Sequence, residues 1–174
     1  FNAADAVIAY GSDAAIDDIR SRVPEGVKYI AHGHRMGFGA IGRERLADIH
    51  LAHLAREAAW DVAFFDQQGC VSPHAFFVER GGASPPLAFA KALAAALNML
   101  EHEMPRGQLT AAEASAIQQT RATWEMRRAA GQPAELFSSE GSTAWTVLYE
   151  EDAHLAATCL NRTVRVIAVD ALET

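Results

Sequence analysis

The 174-residue sequence is 50% hydrophobic and 21% charged, with a formal net charge of −7, a composition that suits one globular domain, or one domain and part of a second. The acidic balance, with no run of Lys or Arg, excludes nucleic acid as the expected partner, because a phosphate polymer would be repelled. The longest apolar stretch, Leu87 to Leu100, contains Lys91 and Asn98 and is too short to span a bilayer, while two distant cysteines and no secretory signal point to a reducing cytoplasm.

The chain opens on Phe1 and enters almost at once the apolar segment Ala6 to Tyr10. This reads as a strand that wants neighbours on both sides, so the expectation is a piece of a larger protein. Gly11-Ser12 supplies a turn and a helix N-cap. Asp13 to Arg22 follows, with Ala15, Ile16, Ile19 and Val23 on one helical face. Pro24-Glu25-Gly26 stops that helix and Val27 to Ala31 reads as the next strand, the pattern of parallel strands joined by a crossover helix.

After a Gly-rich stretch, a helix is expected from about Arg43 to Trp60, with Leu46, Ile49, His53 and Trp60 facing one way. Val62-Ala63-Phe64-Phe65 reads as a compact buried strand, the polar loop Asp66 to His74 interrupts it, and Ala75 to Glu79 resumes extended structure. Ser84-Pro85-Pro86 predicts a helix start with Ser84 as N-cap, running to about His102. Thr110 to Glu113 is a capping box opening a helix that ends near Gly131. Glu135 to Ser138, Thr143 to Glu150 and Thr163 to Val169 complete the chain as strands. The fold class is α/β, layered, with a mostly parallel sheet and flanking helices.

Cys70 stands out by its setting among Gln67, Gln68, Gly69, Ser72 and His74, in a loop too polar for a core. Ligands in α/β folds tend to bind at strand ends, and a thiol there becomes a nucleophile where dipoles or cations favour the thiolate. The competing reading is a buried small hydrophobe, which is how Cys159 reads. A Cys-x-x-x-His pair, Cys70 and His74, also raises zinc. Two ligands are too few, and His50 and His53 would join them only by coincidence of fold, so no metal is expected.

The segment Asp61 to His74, VAFFDQQGCVSPH after its first Asp, resembles the cysteine loop of the LuxC-type acyl-CoA reductases, within the aldehyde dehydrogenase superfamily. Val7 to Asp13 and Ile30 to Arg35 resemble the family's upstream strand-turn segments, and Ala144 to Glu150 and Leu160 to Val166 its late strands. The resemblance implies that residues 1–31 are the C-terminal remnant of a Rossmann-like coenzyme domain and 32–174 the catalytic cysteine domain of a truncated aldehyde dehydrogenase-like chain. It implies NADPH-dependent reduction of a long-chain acyl-CoA to the aldehyde through an acyl thioester on Cys70, with CoA thioester as substrate. A CoA-acylating dehydrogenase of short-chain substrates and an inert subunit of the same fold are the alternatives. The partner expected is a further copy of the chain or a multi-enzyme reductase complex.

Gly11 and Ser12 are the residues expected to touch the coenzyme, and His32, His34 and His74 the candidate acid–base groups beside Cys70. Where oxidising aldehyde dehydrogenases carry a water-activating Glu, the matching position holds Ala31, which favours reduction over hydrolysis. Gly37-Phe38-Gly39-Ala40-Ile41-Gly42 matches a dinucleotide fingerprint by letters alone and reads as a loop entering the catalytic domain.

Overall fold

A computed structural model describes residues 3–33, 35–152 and 154–172, with the side chain of residue 48 set aside. The chain divides into two units, Phe1–Arg35 and Met36–Thr174.

In the first unit, β1 (Ala6–Tyr10) pairs in parallel with β2 (Lys28–His32). The crossover is α1 (Asp13–Arg22). The Ser12 hydroxyl caps α1 by accepting the Ala15 N–H at 3.3 Å, which satisfies one of the unpaired amides that open any helix. Asp13 in the first turn and Arg20 and Arg22 in the last complement the helix dipole. Ile16 is the buried residue of α1, and the Tyr29 hydroxyl donates to its carbonyl at 2.8 Å. Ala15, expected on the inner face, is exposed.

The second unit holds a five-stranded sheet in the order β3-β4-β7-β6-β5. Its strands are β3 (Gly37–Ile41), β4 (Pro73–Glu79), β5 (Ala134–Ser138), β6 (Thr146–Glu150) and β7 (Thr163–Val169). The pairs β3–β4, β4–β7 and β7–β6 are parallel, and the edge strand β5 is antiparallel to β6. The Gly-rich stretch is therefore strand β3 and not an entering loop.

The helices are α2 (Asp48–Ala63), α3 (Pro86–Glu103) and α4 (Ala111–Ala129). Helices α2 and α3 pack together in one core with Phe76, Val78, Val147, Val164 and Val166. Helix α4 lies against β5 and β6, where Arg121 donates to the Thr146 hydroxyl and Arg127 pairs with Glu150. Thr146 and Glu150 alternate with Val147 along β6, so α4 covers the opposite face of the sheet. The result is a layered α/β unit with helices on both sides.

Three local expectations are corrected. Val62-Ala63-Phe64-Phe65 is not a strand: Val62 and Ala63 end α2, and Phe64 and Phe65 begin a 3₁₀ turn, Phe64–Gln67. Four apolar residues in a row carry no period, and here the helical spacing of Ala55, Ala58, Ala59 and Val62, all buried, decides the conformation. The inner face of α2 is that alanine-rich stripe, so Ile49, His53 and Trp60 point outward. Small side chains let α3 approach closely, which a reading based on large residues overlooks. Finally, α3 is capped by Pro85 without a side-chain bond; Ser84 lies buried one residue earlier, its N–H donating to the Leu46 carbonyl at 2.8 Å. The capping box Thr110–Glu113 is present as expected.

Candidate active site

Helix α2 does not run smoothly into the cysteine loop. Phe65, Asp66 and Gln67 adopt φ of 53°, 51° and 66°, three successive non-glycine residues in the left-handed region, at a cost of about 1–2 kcal/mol each. Opposite them, Leu160, Asn161 and Arg162, just before β7, do the same with φ of 59°, 54° and 61°. Such strain persists only where surrounding bonds over-determine it.

Those bonds join the two segments to each other. Asp66 accepts the Gly107 N–H at 2.9 Å and pairs with Arg162 at 2.7 Å. Gln67 is fully buried: its amide nitrogen donates to the carbonyls of Pro73 (2.7 Å) and Thr163 (2.9 Å), and its oxygen accepts the Thr163 N–H (2.9 Å). Gln68 donates to the Asn161 side chain at 3.2 Å. Arg162, itself buried, also pairs with Glu101 at 2.8 Å and donates to the Met104 carbonyl at 2.9 Å.

From this platform the chain turns at Gly69–Ser72, closed by the Ser72 N–H donating to the Gly69 carbonyl at 3.0 Å. Cys70 and Val71 occupy the exposed tip. Gly37 of β3 passes so close beneath that a Cβ there would lie 2.7 Å from the carbonyl oxygens of both Val71 and Ser72. Beside the thiol, Trp60, Phe64, Phe65 and Val71 line an open groove of about 430 Å³. Phe65 is 71% and Val71 85% exposed, an unusual density of bare apolar surface for one loop. Asp61 shares this groove, its carboxyl raised above the ordinary range by burial first and by the neighbouring Glu57 second.

His74 does not lie in the loop but inside β4, buried. Its Nδ1 accepts the Thr158 N–H at 3.0 Å, with the Thr158 hydroxyl at 3.1 Å. These contacts tie the ring to the segment that precedes β7.

In the first unit, Gly11, Ser12 and His32 come together at the C-terminal ends of the two parallel strands. The Gly11 N–H donates to the His32 carbonyl at 3.4 Å, the Ser12 hydroxyl is taken up by capping α1, and the His32 ring stacks on Tyr10 with centroids 4.6 Å apart. His34 lies outside the described residues. Among the described residues, no group of three or more His, Cys, Asp or Glu is placed to hold a metal ion, and no helix is long and apolar enough to cross a membrane.

The residues missed in the sequence are those that build the platform: Asp66, Asn161 and Arg162. Their only local signal is a polar pair immediately before an apolar strand, Asn161-Arg162 before Thr163, where a buried charge would be unexpected.

The cysteine stands at the head of a parallel strand, on a loop pinned between two sheet strands, and the fold around it is that of part of an aldehyde dehydrogenase. Solved structures agree. The chain superimposes on a gamma-glutamyl-gamma-aminobutyraldehyde dehydrogenase from Burkholderia cenocepacia with a TM-score of 0.69 at 14% identity, covering 97% of this chain and 36% of that one. An indole-3-acetaldehyde dehydrogenase in complex with NAD+ gives 0.67 at 16% identity, covering 96% and 36%. An NADP-dependent glyceraldehyde-3-phosphate dehydrogenase from Bacillus halodurans, complexed with NADP, gives 0.61 at 16%, covering 96% and 35%. The chain thus spans about a third of their length. The acyl-CoA reductase (LuxC) family matches over residues 1–174, and the chain belongs to that family. No curated protein matches it.

Proposed function

We propose that the protein reduces a long-chain acyl-CoA to the aldehyde, with Cys70 as nucleophile. The observation that carries this is an exposed thiol on a loop fixed by buried hydrogen bonds and bordered by an aromatic groove, in a chain of the acyl-CoA reductase family. The Cys70 thiolate attacks the thioester carbonyl; the carbon–sulfur bond to CoA breaks, and CoA leaves as a thiol after taking a proton. The acyl group remains as a thioester on Cys70. The Cys70 backbone N–H is the nearest local donor for the tetrahedral oxyanion. The groove of Trp60, Phe64, Phe65 and Val71 suits an alkyl chain and favours a long acyl group over a short one.

Residues 1–31 are read as the end of a coenzyme-binding domain and 32–174 as the catalytic domain. The ends of β1 and β2 and the start of α1 lie where nucleotide groups bind in parallel α/β folds. NADPH held by Gly11 and Ser12 would supply a hydride. The acyl carbon, once reduced, is a thiohemiacetal on Cys70 that collapses to aldehyde and thiolate. Ala31 offers no carboxylate to activate water, which favours reduction over hydrolysis. His74 and His32 are the acid–base candidates of the described residues.

The test is aldehyde formation by the full-length protein with NADPH across acyl chain lengths. The reading expects kcat/KM to rise with chain length and Cys70→Ala to abolish turnover. Aldehyde released by Cys70→Ala at the wild-type rate would overturn it.

A further inference from the structure

We propose that Gln67 is a positioning residue for Cys70, its buried amide fixing where the thiol stands; this rests on the reading of Cys70 as nucleophile. The loop that presents Cys70 begins at Gln67 and enters β4 at Pro73. One side chain closes it: the Gln67 amide nitrogen donates to the Pro73 carbonyl at 2.7 Å, so the first residue of the loop is bonded to its last. The same amide bridges to β7 through both backbone groups of Thr163. Its two N–H donors and its oxygen are all engaged, in a site from which water is excluded, where hydrogen bonds are strongest and hardest to replace.

The other anchors of the loop leave the distance between its two ends unset. Asp66 and Gln68 tie only the entry of the loop, to Gly107, Arg162 and Asn161. The tip, Cys70 and Val71, has the Gly69–Ser72 turn and otherwise stands in solvent. Gln67 is the group that sets the spacing between the two ends, and hence the height of the turn above the sheet. Gln67 also holds φ of 66°, a conformation that a freed chain would leave. Without the amide the loop relaxes while the fold around it, built on β4, β7 and their helices, stays in place. A misplacement of about 1 Å at a reacting atom costs on the order of 100-fold in rate.

The experiment is rapid-quench acylation of Cys70 by a long-chain acyl-CoA in the full-length protein, comparing wild type, Gln67→Met and Gln67→Glu. Both the burst amplitude and the acylation rate constant are read, with melting temperature alongside. Positioning predicts that Gln67→Met keeps the wild-type amplitude and half-saturating acyl-CoA concentration while the rate constant falls about 10- to 100-fold. Gln67→Glu keeps the shape but turns a charged oxygen towards two carbonyls. Its rate relative to wild type should recover as pH is lowered and the carboxyl regains a donating proton, while the Gln67→Met ratio stays flat. A merely structural role would lower amplitude and leave the rate constant of the surviving molecules unchanged, and that result overturns the proposal. So does a wild-type rate constant in Gln67→Met. If wild type itself forms no adduct on Cys70, the nucleophile reading fails and the positioning claim fails with it, an outcome visible in the wild-type arm alone.

Discussion

Gly37→Ala is the substitution whose effect can be worked most directly from the structure. Gly37 opens β3 opposite Pro73, and an added Cβ would stand 2.7 Å from the carbonyl oxygens of Val71 and Ser72, where ordinary contact begins near 3.4 Å. Both obstacles are backbone, and the Gly69–Ser72 turn and the Gln67–Pro73 bond hold them, so no side chain can swing aside. The strand and the cysteine loop must separate by about 0.7 Å. Overpacking of this kind costs about 1–3 kcal/mol, which for a chain of this size lowers Tm by about 2–12 °C. Because the moved segment carries Cys70, the acylation rate constant should also fall, by roughly 10- to 30-fold on the scale of about 100-fold per ångström. Gly39→Ala is the control: its Cβ would meet the Phe76 ring at 2.3 Å, a core side chain, so it should destabilise while leaving Cys70 chemistry intact in folded molecules. Thermal melts and single-turnover acylation read the two effects separately. Wild-type melting and wild-type acylation in Gly37→Ala would show that β3 and the cysteine loop are not in close contact at this point.

Further outcomes follow from the same geometry. Arg162→Met leaves Asp66 and Glu101 without their shared cation; stripping a buried pair costs about 3–5 kcal/mol, and because both carboxylates are about a quarter exposed the expected loss is about 2–3 kcal/mol, read by urea denaturation. The Arg43 guanidinium and backbone N–H hold the Glu79 carboxyl down at about 2, below its usual 4.5. A depressed carboxyl stabilises the fold fully above pH 4.5 and loses that contribution as pH falls towards 2, so Glu79→Gln should show a shallower loss of stability across that window than wild type. Thr110→Ala removes the cap of α4, whose hydroxyl accepts the Glu113 N–H at 3.2 Å, and should cost about 1 kcal/mol by thermal or chemical melt.

Much of the fold was legible because its signals are local. The β1-α1-β2 crossover is written in one short apolar run, a Ser12 cap and a Pro24 stop. The Thr110–Glu113 box is a fixed spacing of two residue types, and β7 is a run rich in β-branched residues around Arg165. The stretch from Val62 to Phe65 failed because its conformation depends on how α2 seats against α3, a contact between segments some thirty residues apart. Ser84 failed for a related reason: the Leu46 carbonyl claims its backbone, and the helix starts one residue later than its best cap. At the site, the cysteine and its Gly-flanked loop could be read from residue types. The role of Gln67 could not, since its bond to Thr163 spans 96 residues. Arg162 likewise meets Asp66 only once β4 and β7 are neighbours in the sheet.

Whether Cys70 carries the acyl group is decided by peptide mass spectrometry of the full-length protein after incubation with a long-chain acyl-CoA and no coenzyme. The expected result is one acyl group on the Cys70 peptide and none on Cys159, absent from Cys70→Ala and released as aldehyde when NADPH is added. A Cys70 peptide that stays unmodified at every chain length would contradict it.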